Sequence, residues 1–288
     1  RALEQAQVEK RHLQALAVTQ GPGLAGALLV GVNYAKALSY GLRIPLIGVN
    51  HLQGHIASAW LADPTFPLPC IVLVVSGGHT HLYRREVNGE CVLLGRTRDD
   101  AAGEAFDKGA QMLGLGYPGG PAIDQIARGG DRQVIPFPRY HGSRGSLEFS
   151  FSGLKTSLLY KLRGRTVPLR PEQVADLAAG YQEAIVQVLV TKSLAALTQS
   201  KLSALAVVGG VSANSRLRAL LNERAEPGQF QLSLPPLEFC TDNAAMIASA
   251  GRQRLMCGEP SSSDLDIFPM EGAMTLTERR LATTGFPK

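Results

Sequence analysis

Two histidines stand four residues apart in a stretch with helical character. They are His51 and His55, in the sequence HLQGH. Residues four apart on a helix lie on one face about one turn apart, so two imidazoles with this spacing can bind one metal ion. The residue after His51 is leucine, so the H-E-x-x-H motif of zinc proteases is absent, together with its glutamate general base. The competing interpretation is a pair of surface or capping histidines.

A carboxylate that could complete such a site stands at the start of the last clear helical segment. Asp242 follows Cys240 and Thr241 there. Thr241 or Asp242 would ordinarily be interpreted as a helix N-cap. Two histidines and one carboxylate, with coordination positions left open, are a ligand set typical of non-haem iron. Spacing alone does not bring Asp242 to His51.

Two glycine turns follow apolar strands and could hold a phosphate or a base. The first runs from Val74 to Gly78 and continues into His79 and Thr80, and the second is the sequence GGVSAN at residues 209–214. Glycines let the backbone approach a ligand, and consecutive N–H groups can surround a phosphate. Neither turn matches the G-x-G-x-x-G or Walker pattern. An ordinary β-turn and a helix capped by Asn214 are the simpler alternatives.

Two charged segments leave a structural and a functional interpretation open. In residues 100–108, acidic side chains and Lys108 occupy neighbouring turns, which suits either local ion pairs or a carboxylate that binds ribose hydroxyls. Residues 129–170 are basic and aromatic and predict an irregular insertion. Aromatic and basic side chains together can stack on and pair with RNA, although a solvated basic loop is the commoner explanation.

The elements that must position these residues alternate between helices and strands. Apolar strands and helices with small or amphipathic faces recur along the chain, with a hairpin signal at Asn88-Gly89. Three prolines in residues 63–69 indicate a linker. We therefore predict a two-lobed α/β fold with mixed sheets, with an N-terminal lobe over residues 1–68. The expected C-terminal lobe covers residues 69–288, including the insertion and a tail of uncertain placement.

Composition narrows the class of protein without naming a function. The 288 residues are 45% hydrophobic and 18% charged, as in ordinary globular proteins. The apolar runs are too short to cross a bilayer and the opening residues are polar, which favours a cytoplasmic protein with no membrane partner. The four cysteines form no C-x-x-C pair, which argues against zinc-finger and thioredoxin-like proteins. A net charge of +5 permits RNA as a partner.

An ordered set of motifs covers nearly the whole chain and resembles one family closely, the TsaD-type tRNA threonylcarbamoyladenosine transferases of bacteria. These motifs are PGLAGALLVG at 22–31, HLQGH at 51–55, VSGGHTHL at 75–82, DDAAGEAFDKGAQMLGLGYPGGP at 99–121, FSFSGLKT at 149–156, GGVSAN at 209–214 and FCTDNAAMIA at 239–248. Several of them are weak individually, but their order along the chain is specific.

The resemblance implies the actin-like ATPase fold, in which two lobes enclose a nucleotide. It implies transfer of a threonylcarbamoyl group from threonylcarbamoyl-AMP to N6 of the adenosine 3′ to the anticodon, in tRNAs that read codons beginning with A. His51, His55 and Asp242 would then hold one Fe²⁺ (or Zn²⁺). The residues implied to contact ATP or the acyl-adenylate are Val74, Val75, Ser76, Gly77, Gly78, Asp107, Gly120 and Asn214. The implied partners are tRNA and TsaB-like and TsaE-like proteins.

Two departures from the family pattern keep alternatives open. The family's first strands, with an ETSCDET-like acidic motif, have no counterpart here, so we expect a truncated N-terminal lobe. The residues from Leu265 to Lys288 also fail to match the usual ending. A metalloendopeptidase, a small-molecule kinase or ATPase of the same fold, and a non-catalytic scaffold of the modification complex are the competing functions. The absent H-E-x-x-H motif argues against the peptidase.

Overall fold

The protein divides into two compact units. The computed structural model describes residues 1–163, 169–226, 228–258, 261 and 264–269. The first unit combines Arg1–Leu61 with the described residues from Asn243 onward, and the second is Ala62–Asp242. The predicted lobes at residues 1–68 and 69–288 do not include this grouping, in which the helix that begins at Ala244 joins the N-terminal segment. That helix packs on the first two strands, and hydrophobic packing outweighs chain order.

A parallel pair of strands forms the centre of the first unit. Its helices and strands are α1 (Ala2–Gln5), a 3₁₀ turn (Lys10–His12), β1 (Leu16–Gly21), α2 (Ala25–Leu42), β2 (Leu46–Asn50), α3 (His51–Ala62) and α10 (Ala244–Met256). β1 and β2 pair in parallel, with Leu16 opposite Leu46. The opening helix is short, because Gln7 has a φ of 54°, in the left-handed region.

Side-chain alternation along β2 directs two helices to opposite faces of this strand pair. Leu46 packs in a buried cluster with Val32 of α2, whereas Ile47 and Val49 pack in another with Ile247 of α10. Successive side chains on a strand point to opposite faces, so α2 and α10 cover different faces of β2. The position of α10 follows from this apolar pattern.

A mixed five-stranded sheet forms the centre of the second unit. Its elements are β3 (Cys70–Val75), β4 (Thr80–Arg85), β5 (Cys91–Arg96), α4 (Ala102–Leu113), α5 (Gly119–Ala127), α6 (Ser152–Leu162), α7 (Pro171–Ser200), β6 (Ala204–Val208), α8 (Ser215–Ala225), β7 (Gln231–Ser233) and α9 (Leu237–Cys240). The strand order is β5-β4-β3-β6-β7. β3 pairs antiparallel with β4 and parallel with β6, which confirms the predicted mixed sheet.

The long helix α7 ties the core of this unit together. It begins at Pro171, which suits the first turn of a helix, and ends before Lys201, which adopts a left-handed conformation. Tyr181 is fully buried on it and donates a hydrogen bond to the carbonyl of Ala105 in α4 (2.8 Å). The predicted insertion at 129–170 is not irregular throughout, because α6 forms within it and buries Leu154 and Leu158 in the same core.

Within the part of the chain that the structure describes, no helix has the length and apolar character needed to span a bilayer.

Candidate functional site

The two histidines predicted as metal ligands lie on the first two turns of α3. Asn50 caps this helix, because its Oδ1 accepts hydrogen bonds from the backbone N–H groups of Leu52 (2.9 Å) and Gln53. His51 is half-buried and His55 is fully buried. Their ring centroids are 4.8 Å apart, with the ring planes at 77°. The helical spacing thus places both imidazoles on one face, as the sequence predicts.

Asp242 joins these histidines through the start of α10. The N-cap of α10 is the next residue, Asn243, whose Oδ1 accepts from the N–H of Met246 (2.9 Å). The capping role considered for Asp242 is therefore filled by its neighbour. One donor atom from each of His51, His55 and Asp242 lies within 4.8 Å of the other two.

A glycine on α3 explains how α10 comes so close. A Cβ atom on Gly54 would lie 2.6 Å from Cδ1 of Ile247. A larger residue at position 54 would require the side chain of Ile247 to move, and Asp242 is covalently joined to the start of the helix that carries Ile247. Gly54 of the HLQGH motif therefore allows close packing of α10 on α3, a role that spacing alone does not reveal.

The three side chains have the chemistry of a metal site. Metal bonds from imidazole nitrogen and carboxylate oxygen are about 2.0–2.2 Å long, so donors to one ion lie within roughly 4 Å of each other. The observed limit of 4.8 Å is close to that span and needs only small side-chain rotations. Two neutral nitrogens and one carboxylate oxygen suit Fe²⁺ or Zn²⁺ better than Mg²⁺ or Ca²⁺, which prefer oxygen ligands.

The first glycine turn lies at the carboxyl end of β3. The Ser76 N–H donates to the carbonyl of His79 (2.8 Å), and Ser76 Oγ accepts from the N–H of His79 (3.2 Å). Gly77 and Gly78 are exposed between these anchors. α4 begins against the turn, with the Gly103 N–H donating to the carbonyl of Ser76 (3.2 Å). The turn is thereby held in shape, while its glycine backbone remains open to a ligand.

The second glycine turn meets the first at the same edge of the sheet. Gly209 follows β6 with a φ of +95°, and a Cβ atom there would clash with the carbonyl of Val75. β3 and β6 are parallel neighbours, with Val74 opposite Val208, so their carboxyl ends lie side by side. Ligands of open α/β sheets bind beyond such carboxyl ends. The predicted residues of both turns are thus brought together.

Asn214 serves as a helix cap. Its Oδ1 accepts from the N–H of Leu217 (3.0 Å), and its Nδ2 donates to Oε1 of Gln182 on α7 (2.7 Å). Two of the hydrogen-bonding positions of this buried amide are thus committed within the protein. Sequence reasoning missed Gln182, because it lies in the middle of an apolar helix face.

Asp107 and Gly120 lie where α4 and α5 come into contact. Oδ1 of Asp107 accepts from the N–H of Gly119 (2.7 Å), and a Cβ on Gly119 would lie 2.5 Å from Cα of Asp107. The neighbouring Lys108 forms salt bridges with Asp100 (2.7 Å) and with Glu104 on its own helix (2.9 Å). The ion-pair interpretation of residues 100–108 therefore holds for Lys108, whereas Asp107 fixes the start of α5.

His81 is a buried titratable group that sequence reasoning did not single out. Its Nδ1 lies 3.0 Å from the hydroxyl of Tyr83. Burial lowers the pKa of His81 to about 4, with smaller contributions from His79 and Arg96. It is therefore neutral at pH 7. The alternation of His79, just before β4, with His81 and Tyr83 on that strand was the available sequence signal.

The FSFS sequence before α6 is organised by Asp99. Its Oδ2 accepts from the hydroxyls of Ser150 (2.5 Å) and Ser152 (2.8 Å), and its Oδ1 accepts from the N–H of Phe151 (2.8 Å). Burial would raise the pKa of Asp99, but these hydrogen bonds outweigh it and hold that pKa below its usual range. Phe149 and Phe151 are both buried, so they are core residues and not the RNA-stacking aromatics considered from the sequence.

A known protein family matches most of the chain. The profile described as "TsaD: tRNA N6-adenosine threonylcarbamoyltransferase" matches residues 1–249. The chain belongs to the TsaD family. Curated relatives named tRNA N6-adenosine threonylcarbamoyltransferase include a protein of Anaeromyxobacter dehalogenans, which is 52% identical over 93% of this chain and 80% of its own length. The relative from Symbiobacterium thermophilum is 50% identical over 93% of this chain and 78% of its own length. The relative from Clostridioides difficile is 46% identical over 93% of this chain and 79% of its own length.

Solved structures support the fold of this TsaD family member. HypF from T. kodakarensis superposes with a TM-score of 0.68 at 14% identity, over 92% of this chain and 43% of that one. A second full-length HypF, in a phosphate- and nucleotide-bound form, gives a TM-score of 0.63 at 12% identity, over 88% and 48%. The chain spans less than half of either HypF. These similarities confirm the predicted actin-like fold class and carry no functional argument.

Proposed function

We propose that this protein transfers the threonylcarbamoyl group from threonylcarbamoyl-AMP to N6 of the adenosine 3′ to the anticodon, in tRNAs that read ANN codons. Membership of the TsaD family supports the reaction. The observation that carries the proposal for this chain is the convergence of His51, His55 and Asp242. Asp242 is distant in sequence from both histidines, and a group that only stabilised the fold would not require this donor set.

One Fe²⁺ or Zn²⁺ would be held by His51, His55 and Asp242. Such an ion, when bound, supplies Lewis acidity and a template for ligand oxygens at its open positions. The protein fixes the positions of the three side chains that would donate to the metal. Asn50 caps the helix that carries both histidines, and Asn243 caps the helix that follows Asp242. Both caps limit the freedom of the donors before a ligand arrives.

The glycine turns of the second unit would bind the adenylate. We assign its contacts to Val74–Gly78, Asp107, Gly120 and the backbone around Asn214. The exposed backbone at Gly77 and Gly78 suits the phosphate, since nothing lies within 4 Å of a Cβ at either position. The caps and close contacts described above would position these groups, and positioning dominates when the acyl group is already activated.

The transfer needs no strong nucleophile from the protein. The exocyclic N6 amine of the tRNA adenosine attacks the carbamoyl carbon of the mixed anhydride. A C–N bond forms, the bond from that carbon to the phosphate oxygen breaks, AMP departs with the electron pair, and the amine loses one proton. Hydrogen bonds from the turn backbone would stabilise the charge that develops on the departing phosphate.

The proposal extends to partners and location. We propose that tRNA and TsaB-like and TsaE-like proteins act with this chain in the cytoplasm. The similarity to bacterial transferases along 93% of the chain supports these partners by family membership.

The decisive experiment is reconstitution. The purified protein, TsaB-like and TsaE-like proteins, threonylcarbamoyl-AMP and unmodified tRNA are combined, and the tRNA nucleosides are analysed by mass spectrometry. We expect threonylcarbamoyladenosine to form. His55→Ala and Asp242→Asn should each lose bound metal, measured by elemental analysis, together with transfer.

The matched control is His12→Ala, since His12 is exposed in the 3₁₀ turn far along the chain from the proposed ligands. It should retain both metal and transfer. Normal modification by a metal-free His55→Ala protein would refute the assigned role of the cluster. No modified nucleoside with wild-type protein would refute the proposed function itself.

A further inference from the structure

A cavity of about 200 Å³ lies between the insertion and α7, outside the residues assigned to metal and adenylate. Its lining includes Arg132, Pro136, Phe137, Arg139 and Glu183. Sites for drug-sized ligands are usually about 300–1,000 Å³, so this cavity suits a smaller group. A phosphate with part of its sugar is of suitable size.

The acidic residue in the cavity is already neutralised. Glu183 forms a two-point ion pair with Arg216, from Nε (2.7 Å) and Nη2 (3.2 Å), and accepts a further hydrogen bond from Gln187 (2.7 Å). Burial alone would raise the pKa of Glu183, yet Arg216 and these hydrogen bonds hold it below its usual range, with a contribution from Arg132. The carboxylate therefore does not offset both arginines at the cavity.

The two arginines are available for an anion. Arg132 and Arg139 are exposed. Among the residues that the structure describes, neither guanidinium makes a hydrogen bond or a salt bridge. Arginine presents a planar set of donors that matches two phosphate oxygens at once. Two guanidiniums at one cavity, of which only Arg132 has a Coulombic contribution to Glu183, are thus suited to a phosphate group.

Packing of the cavity walls would fix the backbone that carries these two arginines. Phe137 is buried. Its ring centroid lies 5.4 Å from that of Tyr181, with the ring planes perpendicular, and 5.1 Å from the Lys161 ammonium. A Cβ on Gly180 would clash with the carbonyl of Ile135, so the segment lies directly against α7. The backbone between Arg132 and Arg139 is therefore anchored.

The charge of the whole chain is concentrated in this segment. Residues 129–170 contain eight lysines and arginines and two acidic residues, a net charge of +6. The whole chain carries +5, so the remaining residues carry −1 together. A basic segment on an otherwise nearly neutral protein is the electrostatic pattern of a surface that contacts a nucleic-acid backbone.

We propose that the cavity lined by Arg132 and Arg139 binds a backbone phosphate of the tRNA substrate. This inference rests on the proposed function and adds where the tRNA is contacted. Phosphate contacts fix the orientation of a nucleic acid without reading its sequence. The cavity therefore orients tRNA during docking and takes no part in the acyl transfer.

The test measures tRNA affinity as a function of salt. The double variant Arg132→Gln/Arg139→Gln is compared with wild type and with Arg144→Gln, an exposed arginine of the same segment that does not line the cavity. Each lost phosphate contact lowers the slope of log K against log salt by about 0.7–0.9. We expect the double variant to lose about 1–2 in slope and about tenfold or more in affinity. Arg144→Gln should lose less than half a unit.

Kinetics and a conservative variant separate a phosphate contact from a folding defect. In the reconstituted reaction, the double variant should raise KM for tRNA with little change in kcat. Arg132→Lys/Arg139→Lys should recover most of the affinity, because lysine also binds phosphate as a point charge. Equal slopes for the double variant and Arg144→Gln would overturn the proposal, since a diffuse basic surface would then explain the binding.

A final arm separates an RNA phosphate from a free one. Inorganic phosphate and AMP are titrated against wild type and double variant. If these small anions bind in a manner that depends on the two arginines while tRNA affinity does not, the cavity is a free-anion site and the proposal is wrong. Absence of transfer by wild type would count against the proposed function, whereas normal transfer with unchanged tRNA binding in the double variant would count against this inference alone.

Discussion

At the scale of single residues, an ion pair between Glu183 and Arg216 joins α7 to α8 in the second unit. The side chains of Glu183 and Arg216 are only 9% and 13% exposed. Arg216 has a second partner in Glu223, at 3.2 Å, but that carboxylate is more than half exposed. Removing one member of a buried pair leaves the other charge without its main compensation.

We predict that Glu183→Gln lowers the free energy of unfolding by about 2–4 kcal/mol, because Arg216 stays buried with only a partly exposed partner. Urea unfolding at pH 7 measures the change. Glu223→Gln is the matched control and should cost less than about 1 kcal/mol. A Glu183→Gln protein as stable as wild type would show that the pair contributes no net stability.

The pH dependence of that difference has a defined sign. The pKa of Glu183 is lowered in the folded protein, so its contribution is complete above the ordinary glutamate pKa and is lost as pH falls through the folded pKa. The stability gap between wild type and Glu183→Gln should therefore be constant from pH 7 down to about pH 5 and shrink below about pH 4. A gap that widened on acidification would contradict this assignment.

At the scale of elements, the start of α4 and the turn after β3 behave as one structure. A Cβ on Gly103 would lie 2.5 Å from the carbonyl oxygen of Ser76 and 2.7 Å from Cα of Gly77. Glycine within a helix usually costs stability relative to alanine, by about 1 kcal/mol. At position 103 the close contact between α4 and the turn explains why glycine is present, because a side chain would not fit.

We predict that Gly103→Ala weakens binding of AMP or a threonylcarbamoyl-AMP analogue by about tenfold or more, because either α4 or the turn must shift, and small displacements of positioning groups are costly. Isothermal titration calorimetry measures the affinity. Gly41→Ala is the control, since nothing lies within 4 Å of a Cβ at that position of α2. Unchanged affinity in Gly103→Ala would mean that the turn does not hold the nucleotide.

At the scale of the whole molecule, each unit has its own hydrophobic core. The larger core belongs to the second unit and joins buried residues of its sheet with those of α4–α8, among them Leu205, Tyr181 and Phe106. The first unit buries smaller clusters on the two faces of β1 and β2. A cavity in the larger core should therefore reduce the stability of the unit that carries both glycine turns.

We predict that Leu205→Ala on the central strand β6 lowers the free energy of unfolding of the second unit by about 3–5 kcal/mol, through lost burial and an unfilled cavity. That is a large share of the 5–15 kcal/mol that stabilises a typical domain. Thermal and urea unfolding measure it. Leu237→Ala, at a position that is 63% exposed, should change stability by no more than about 0.5 kcal/mol. Similar losses in both variants would indicate that Leu205 is not in a close-packed core.

The local sequence pattern determined many of the helices, strands and turns of this molecule. The apolar run of β3, the 30-residue helix that begins at Pro171 and the four-residue spacing of His51 and His55 depend on neighbours along the chain, so each could be predicted with the elements observed. The strand-then-glycine turns were likewise predicted, because a chain that leaves a buried strand sharply needs glycine whatever its partners are.

Tertiary structure alone decided which of these pieces meet. Asp242 lies near the histidines because α10 packs on β1, β2 and Gly54. These contacts join residues about 190 or more positions apart, which no spacing rule contains. The burial of Phe149 and Phe151, the commitment of Asn214 to Gln182 and the grouping of α10 with the N-terminal segment have the same origin. Hydrophobic packing is non-directional and acts between any surfaces that fit, so the sequence specifies it only through the complete fold.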